Sequence, residues 1–580
     1  MSRPPHRFLL VSDFNVDVLR GFLTNDEELP LVEATSGPFG QPVSVLVNKD
    51  MVCWKRTPDY VVVWTRPESV IPSFKAVMDH RAVSMEQLMG EVDAYCHMLS
   101  HLEPRVRYTF VPTWVVPSYS GGCGLLEMKQ GVGVTDVLTR MNVRLADGVA
   151  QSSKTGLMNT GKWIAEAGTT AFSPKLWYLS KVAFGNYVFA AATRDIKAAL
   201  RGLTGQSRKL IILDLDDTLW GGIVGDVGWQ GLNLGGHDAV GEAYVDFQRV
   251  LKSLTNRGIL LGIVSKNTES VALEAINNHP EMILRQEDFA GWKISWDDKA
   301  QGVVDLVSDL NLGLQSAVFI DDNPIERARV REALPEVFVP DWPENCMLYK
   351  NALLRLPCFD VPSISHEDRE RARMYASDRK RRSVRRRVDS LEDWLKTLRT
   401  TVAVEELTEA NLKRVVQLMN RTNQMNLTTR RVGESALADW VGRDNHTLWT
   451  FRVSDEYGDS GLTGIISLAV HQKVARIVDF VLSCRVMGRK VEEAMVHVGV
   501  TYAQMMRLDE VIAQYIPTSK NQPCLAFWKR SGFNWEKRSN RFTWQTRHPY
   551  ALPEVIRLRH KISRRVVEPK RASLRNLHPA

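Results

Sequence analysis

The feature that most constrains the fold is the run Leu210-Ile211-Ile212-Leu213-Asp214-Leu215-Asp216-Asp217-Thr218, followed by Trp220-Gly221-Gly222. The apolar run reads as a buried strand, and the chain leaves it through two carboxylates placed two positions apart. In open α/β sheets, ligands bind just beyond the carboxyl ends of the strands. Two carboxylates at such a point can hold Mg2+ through oxygen ligands, while one attacks phosphorus and the other manages the proton.

Three later segments extend the pattern. Ile259–Val264 reads as a second buried strand ending at Ser265, Lys299 opens a helical stretch to Asp309, and Ala317–Ile320 reads as a third strand ending at Asp321-Asp322-Asn323-Pro324. In this order the motifs resemble the haloacid dehalogenase (HAD) phosphatase superfamily, over about 130 residues. The resemblance implies Asp214 as nucleophile and Asp216 as general acid/base. It also implies Thr218, Ser265 and Lys299 as phosphate contacts, and an Mg2+ site of Asp214, Asp216, Asp321 and Asp322. Lys293 and Lys266 are alternatives to Lys299, which is favoured because it starts the helix before the last strand. Asp214 and Ser265 are 51 residues apart, and Ser265 and Lys299 are 34 apart. Once a helix and a strand are placed, neither interval holds a folded cap of about 50 residues or more. The site is expected to be open, able to admit a macromolecular substrate or a phosphate delivered by another domain.

Further along, Cys484-Arg485-Val486-Met487-Gly488-Arg489-Lys490 precedes a helical run from Val491 to Met506. Backbone amides and arginines at a helix start make a phosphate cradle. The string resembles the pyrophosphate loop of the GNAT acyltransferases, with Lys490 where that family has Gly or Ala. Asn521 to Trp528 and Ser531-Gly532-Phe533 resemble the helix and strand that close the same fold. The resemblance implies phosphate contacts from Arg485, Gly488 and Arg489, against the plainer reading of a helix-start salt bridge. Cys484 lies beside the loop, where nearby arginines would lower a thiol pKa and suit it to carry an acyl group. The alternative is a small apolar residue ending a strand. His497 is a candidate base, or a packed helix-face histidine.

The order HAD, basic segment, GNAT-like unit resembles the FkbH-like proteins over most of the chain. The supporting strings are Asp216 to Gly222, Trp296-Asp297-Asp298-Lys299, Asp321-Asp322-Asn323-Pro324, Asn426-Leu427-Thr428-Thr429-Arg430 and Leu482-Ser483-Cys484-Arg485. That resemblance implies a phosphorylated three-carbon acid donor, 1,3-bisphosphoglycerate in polyketide pathways. It implies loss of phosphate and loading of the glyceryl unit onto the phosphopantetheine thiol of an acyl carrier protein. Some relatives would use a different phosphorylated acid.

The expected architecture is multidomain α/β. Residues 1–200 form an SGNH-hydrolase-like or flavodoxin-like domain, in which Phe8–Val11, Val43–Val47 and Tyr60–Trp64 read as strands and Met85–Leu102 as a helix. Its Val11-Ser12-Asp13-Phe14-Asn15 departs from the Gly-Asp-Ser start of that family, so docking is favoured over hydrolysis. Residues 205–345 form a capless HAD domain, 346–398 a basic helical linker, 399–548 a GNAT-like α+β domain and 549–580 a basic tail. The formal net charge is +8. Between Arg369 and Arg387 there are ten basic and two acidic residues, and Ala551–Ala580 holds eight and two. Two basic appendages on a mildly acidic body suit nucleic acid or any acidic partner, including an acidic carrier protein, or are simply a solvated helix and a frayed tail.

The seven cysteines are scattered, with no Cys-x-x-Cys pair, which favours a reducing cytoplasm over disulfides or zinc. No apolar run approaches the ~20 residues of a membrane span, and no signal peptide is evident. Two rival functions stand beside carrier loading: a HAD phosphatase of a free metabolite or phosphoprotein, and a basic nucleic-acid-binding adaptor. The complete HAD motifs count against the adaptor.

Overall fold

The computed structural model describes residues 4–118, 124–362, 364, 370, 374–375 and 390–559. The arginine-rich run 379–387, the tail beyond 559 and Gly121-Gly122-Cys123 lie outside the described residues. The chain divides into two compact units, Met1–Thr204 and Gly205–Ala580.

The first unit is built on five parallel strands, β1 (His6–Ser12), β2 (Val32–Ser36), β3 (Tyr60–Trp64), β4 (Tyr108–Pro112) and β5 (Thr155–Met158), in the order β2-β1-β3-β4-β5. This is the flavodoxin-like doubly wound order. Alternate residues of β1 and β3 enter opposite cores. Leu9, Val11, Val61 and Val63 pack with Leu88, Val92 and Tyr95 of the helix Met85–Ser100. Phe8, Leu10, Tyr60 and Val62 pack with Val188, Phe189 and Ile196 of the helix Asn186–Leu203. The segment expected to be a strand at Val43–Val47 is instead a short helix, Pro42–Val47. Pro42 suits a first helical turn, Val45 and Leu46 are buried, Val43 and Val47 are exposed, and the second strand is Val32–Ser36.

The second unit contains two sheets. The first has four parallel strands, β6 (Leu210–Leu213), β7 (Leu260–Ser265), β8 (Phe289–Ile294) and β9 (Ala317–Ile320), ordered β8-β7-β6-β9. Ile211, Leu213 and Ile263 face one core and Leu210, Ile212 and Val264 the other, so the strands are apolar throughout. This packed body continues past the expected boundary at 345. Tyr349, Leu353, Cys358 and Phe359 are buried in the first of those cores, with Tyr349 and Leu353 carried on the helix Tyr349–Leu354.

The other sheet comprises β10 (Thr400–Glu406), β11 (Met425–Asn426), β12 (His446–Asp455), β13 (Gly458–His471), β14 (Val474–Leu482), β15 (Glu510–Gln514), β16 (Asn534–Glu536), β17 (Arg541–Gln545) and β18 (Ile556–Leu558). Its main path is β16-β17-β15-β14-β13-β12-β10-β18, with β11 added to β14. The helix Val491–Met505 follows β14 and buries Val491, Met495 and Val498 on this sheet. The central pair β14 and β15 is parallel, but only over Val474–Ile477. Among the described residues, no helix is long and apolar enough to cross a membrane.

Candidate active site

Register brings the acidic residues together. Leu213 pairs with both Ile263 and Ile320, so Asp214 and Asp321 are the next residues on adjacent strands and Ser265 ends the strand on the other side. The Asp214 amide continues the ladder to the Ile320 carbonyl at 3.0 Å. Side-chain oxygens of Asp214, Asp321 and Asp322 lie within 4.8 Å of one another. Lys299 opens its helix with an ammonium that is 95% enclosed; it donates to Asp214 Oδ2 at 2.8 Å and to Asp321 Oδ2 at 2.7 Å. Lys266 instead pairs with Glu326 and Lys293 with Asp309.

The electrostatics follow from burial. Desolvation and the Asp214 charge push the Asp321 carboxyl up to about 7. The same causes raise Asp322. Burial alone would lower the Lys299 ammonium, but Asp214 and Asp321 outweigh it and its pKa rises. Asp214 Oδ1 is buried without a hydrogen-bond partner. One ammonium among three carboxylates, with one oxygen unpaired, is a donor set that fits a hard divalent cation.

Asp216 stands outside that trio. Its Oδ1 accepts from Trp220 Nε1 at 2.9 Å and the Val224 amide at 3.0 Å, and its Oδ2 accepts from Asn267 Nδ2 at 2.8 Å. Burial raises its pKa, while the Val224, Trp220 and Asn267 donors pull the other way. Thr218 is fully buried and its hydroxyl is 3.1 Å from Asp322 Oδ1, so its partner is a carboxylate of the trio. The turn between these residues is held from behind: the hydroxyls of Tyr244 and Tyr349 both donate to the Asp217 carbonyl, at 3.1 and 3.2 Å, where Asp217 has φ 51°. Arg327 Nη1 ties the other acidic loop through the carbonyls of Asp321 and Asp322.

Asn267, Tyr244 and Tyr349 are absent from the sequence reading, and Trp220 is read there only as part of the Gly-rich turn and not as a donor to Asp216. Asn267 was accessible there, because it follows a strand-ending serine by two positions; the tyrosines carried no local signal. Among the described residues, the stretch between Asp214 and Ser265 holds the short helix Val224–Val227, a turn at Trp229–Gly231, the helix Ala239–Asn256 and β7. That between Ser265 and Lys299 holds the helix Glu269–Asn278 and β8. Neither interval carries an inserted cap domain among the described residues.

The chain matches no protein-family model and no curated protein. A solved structure from Bacteroides fragilis is similar: the N-terminal part of BF1531, containing a phosphatase domain complexed with Mg. It has 26% identity and a TM-score of 0.57, over 62% of this chain and 96% of that one. This chain carries a phosphatase-type fold. Two further structures overlap a quarter of it. They are a GNAT-family acetyltransferase from Staphylococcus aureus Mu50 and the spermidine N-acetyltransferase of Vibrio cholerae in complex with CoA and spermine. Identities are 10% and 14%, coverages of those chains 99% and 96%, and TM-scores 0.21 for both.

In the nine-stranded sheet, Cys484 and Arg485 lie in a short turn after β14, and Cys484 is half-buried. Gly488 and Lys490 adopt positive φ, 75° and 65°, which turns the chain into the helix Val491–Met505. Arg489 is buried against Asp455 at 3.2 Å and also donates to the Arg485 carbonyl. Arg485 reaches Ser483 Oγ and Met374 Sδ. The arginines are therefore engaged within the chain, and Arg489 brings its neutralising partner with it. His497 donates through Nδ1 to the Tyr550 carbonyl at 2.6 Å, a packing role.

Proposed function

We propose that this chain is a Mg2+-dependent HAD-type phosphatase and acyl transferase. It removes phosphate from a phosphoglycerate-type donor, 1,3-bisphosphoglycerate by resemblance, and loads the acyl unit on an acyl carrier protein thiol. The reading rests above all on the meeting of Asp214, Lys299, Asp321 and Asp322 at the carboxyl end of one parallel sheet, with Asp216 held separately beside them.

Asp214 attacks phosphorus, the bond from phosphorus to the leaving oxygen breaks, and Asp216 supplies the proton to that oxygen. Water then attacks the aspartyl phosphate, Asp216 takes its proton, and inorganic phosphate leaves with Asp214 restored. Ser265 and Lys299 hold the phosphoryl oxygens. Mg2+ held by Asp214, Asp321 and Asp322 would supply charge neutralisation for those oxygens. At an acyl phosphate, the carrier thiolate attacks the acyl carbon, the C–O bond to phosphate breaks, and a thioester and free phosphate result. The direct route is favoured over a Cys484 relay because Arg489, one of the two cations expected to activate that thiol, is paired with Asp455.

The lack of a cap insertion between Asp214 and Lys299 among the described residues supports a carrier-borne substrate over a small free metabolite, since a macromolecule can itself exclude water there. The test is phosphate release from 1,3-bisphosphoglycerate with Mg2+, with EDTA, and with carrier protein present. Release that needs Mg2+ and yields acylated carrier supports the reading. Release indifferent to EDTA, or to an Asp214→Asn substitution, would overturn it.

A further inference from the structure

The sequence resemblance to the GNAT acyltransferases implies a pyrophosphate-bearing thioester at the loop after β14. The side chains around that loop disagree with it. The Gly488 amide, the backbone donor best placed by its φ of 75°, already donates to Glu492 Oε1 at 2.7 Å. Glu492 is also held by its own backbone amide, and its residue is 96% enclosed. A helix N-terminus attracts one anion into its first turn, and here the chain supplies that anion itself. Glu493 adds a second carboxylate to the same turn, paired with Lys490 at 2.8 Å. Arg489, expected from the sequence to meet phosphate, is committed to the buried carboxylate of Asp455. An incoming pyrophosphate would find the Gly488 amide, Arg489 and Lys490 already taken by Glu492, Asp455 and Glu493, and would have to displace these satisfied partners.

A second observation, independent of charge, lies at the same end of β14. After Ile477 and Ala513 the parallel strands β14 and β15 no longer pair. Diverging strands present backbone donors and acceptors to which an extended, amide-bearing ligand can add as a strand does. Here the chain occupies them. Met425 and Asn426 pair with Leu482 and Val481 of β14, and the Leu427 amide donates to the Phe480 carbonyl at 3.1 Å. On the other side, the Ile516 amide donates to the Leu427 carbonyl at 3.0 Å. Asn521 Nδ2 locks the segment by donating to the carbonyls of Asn426 and Ile516. Met425, Asn426 and Leu427 are buried.

We infer that the nine-stranded sheet of this chain is closed to CoA and its thioesters. Glu492 is the resident anion of the phosphate cradle, and Met425–Leu427 is the resident strand of the adjoining gap. The acyl group handled by this protein then comes from a donor that needs no nucleotide grip, such as an acyl phosphate. The inference stands apart from the phosphatase reading, which fails on phosphate release and not on CoA binding.

Calorimetric titration of the full chain with CoA tests it directly. The expected result is no saturable binding up to about 1 mM ligand, and unchanged hydrogen exchange at the Gly488 amide with CoA present. Saturable one-to-one binding that inorganic pyrophosphate competes away, or CoA-dependent protection of Gly488, would overturn it. In a Glu492→Ala variant that retains its circular dichroism, the Gly488 amide should exchange at least tenfold faster; an unchanged rate would show that Glu492 is not its partner and overturn the inference. If the variant fails to fold, the wild-type titration still decides.

Discussion

Two parallel sheets in this chain place an aspartate just past an inner strand, and they treat it oppositely. Past β1, Asp13 accepts from the Arg66 amide at 2.8 Å and from Arg66 Nε at 2.7 Å, one bond to each oxygen. The guanidinium is itself seated 4.1 Å over the Trp177 ring, and the preceding Ser12 hydroxyl accepts the Phe14 amide. Past β6, Asp214 shares its one cation with Asp321, sits within reach of Asp322, and keeps Oδ1 unpaired. The first edge is electrostatically closed. The second carries negative charge that a cation and a phosphoryl group can complete. The position of a carboxylate on the fold is therefore shared by both edges, and what distinguishes a reactive one is the debt left by its partners.

The largest expected effect tests that contrast head on. Asp214→Asn keeps the shape and removes the proposed nucleophile, so phosphate release should fall by about three orders of magnitude or more. Asp13→Asn should leave release within about twofold and instead lower stability by about 2 kcal/mol, because it strips Arg66 of its buried partner. Arg66 retains Glu68 at 3.1 Å, which keeps the loss moderate. Equal losses of release in both variants would erase the distinction between the two edges.

A third buried carboxylate sharpens the comparison, because no guanidinium pairs with it and its neighbour Glu493 is taken up by Lys490. Glu492 Oε2 has no partner, and burial pushes the group up to about 7 from an ordinary 4.5. A raised acid pKa in the folded state means that protonation favours folding. The contribution is fully present below pH 4.5 and is lost as pH rises through 7. At most it amounts to about 3 kcal/mol. Glu492→Gln should therefore remove a stability decline seen in the wild type over that window, measured by urea unfolding at a series of pH values. Parallel profiles for the two proteins would show that Glu492 does not titrate there.

The reactive edge depends next on the group that holds Asp216. Asn267 favours its charged form, so Asn267→Ala should move the Asp216 limb of the pH–rate profile upward and slow release about tenfold. A limb that stays put in a folded variant would assign Asn267 to packing alone.

Legibility in the sequence followed the same division. Strands β6, β7 and β9 and the helix at Lys299 were readable because both faces of that sheet are buried, which makes each strand continuously apolar, and because each ends in a polar residue. Val43–Val47 misled because a short amphipathic helix after Pro42 and a buried strand share the same apolar string. The body past residue 345 was missed since Tyr349, Leu353 and Phe359 contact residues about a hundred positions earlier, a tertiary fact without local signature. Asp216 was found but its donors were not, and Arg489 was found without Asp455. A motif names the charged residue and leaves its partner, 34 positions away in that pair, to the fold.

The smallest expected effect concerns Cys484, the residue for which partner and motif disagree most. The motif sets the thiol beside two arginines, which would raise its thiolate fraction from the few per cent of an ordinary thiol of pKa ~8.5 at pH 7. The structure turns one arginine into Asp455 and the other towards Ser483 and Met374. With both arginines turned to other partners, neither is engaged with the cysteine, and direct attack by the carrier's own thiol is the simpler route. A thioester relay would also add a step that such direct attack makes unnecessary. Cys484→Ala should accordingly load the carrier within about twofold of the wild-type rate. Wild-type protein incubated with donor and no carrier should show no added mass at Cys484. An adduct of acyl mass that is present in wild type, absent in Cys484→Ala and discharged by carrier would establish the relay. It would also show that Asp455 leaves the loop positive enough to activate a thiol.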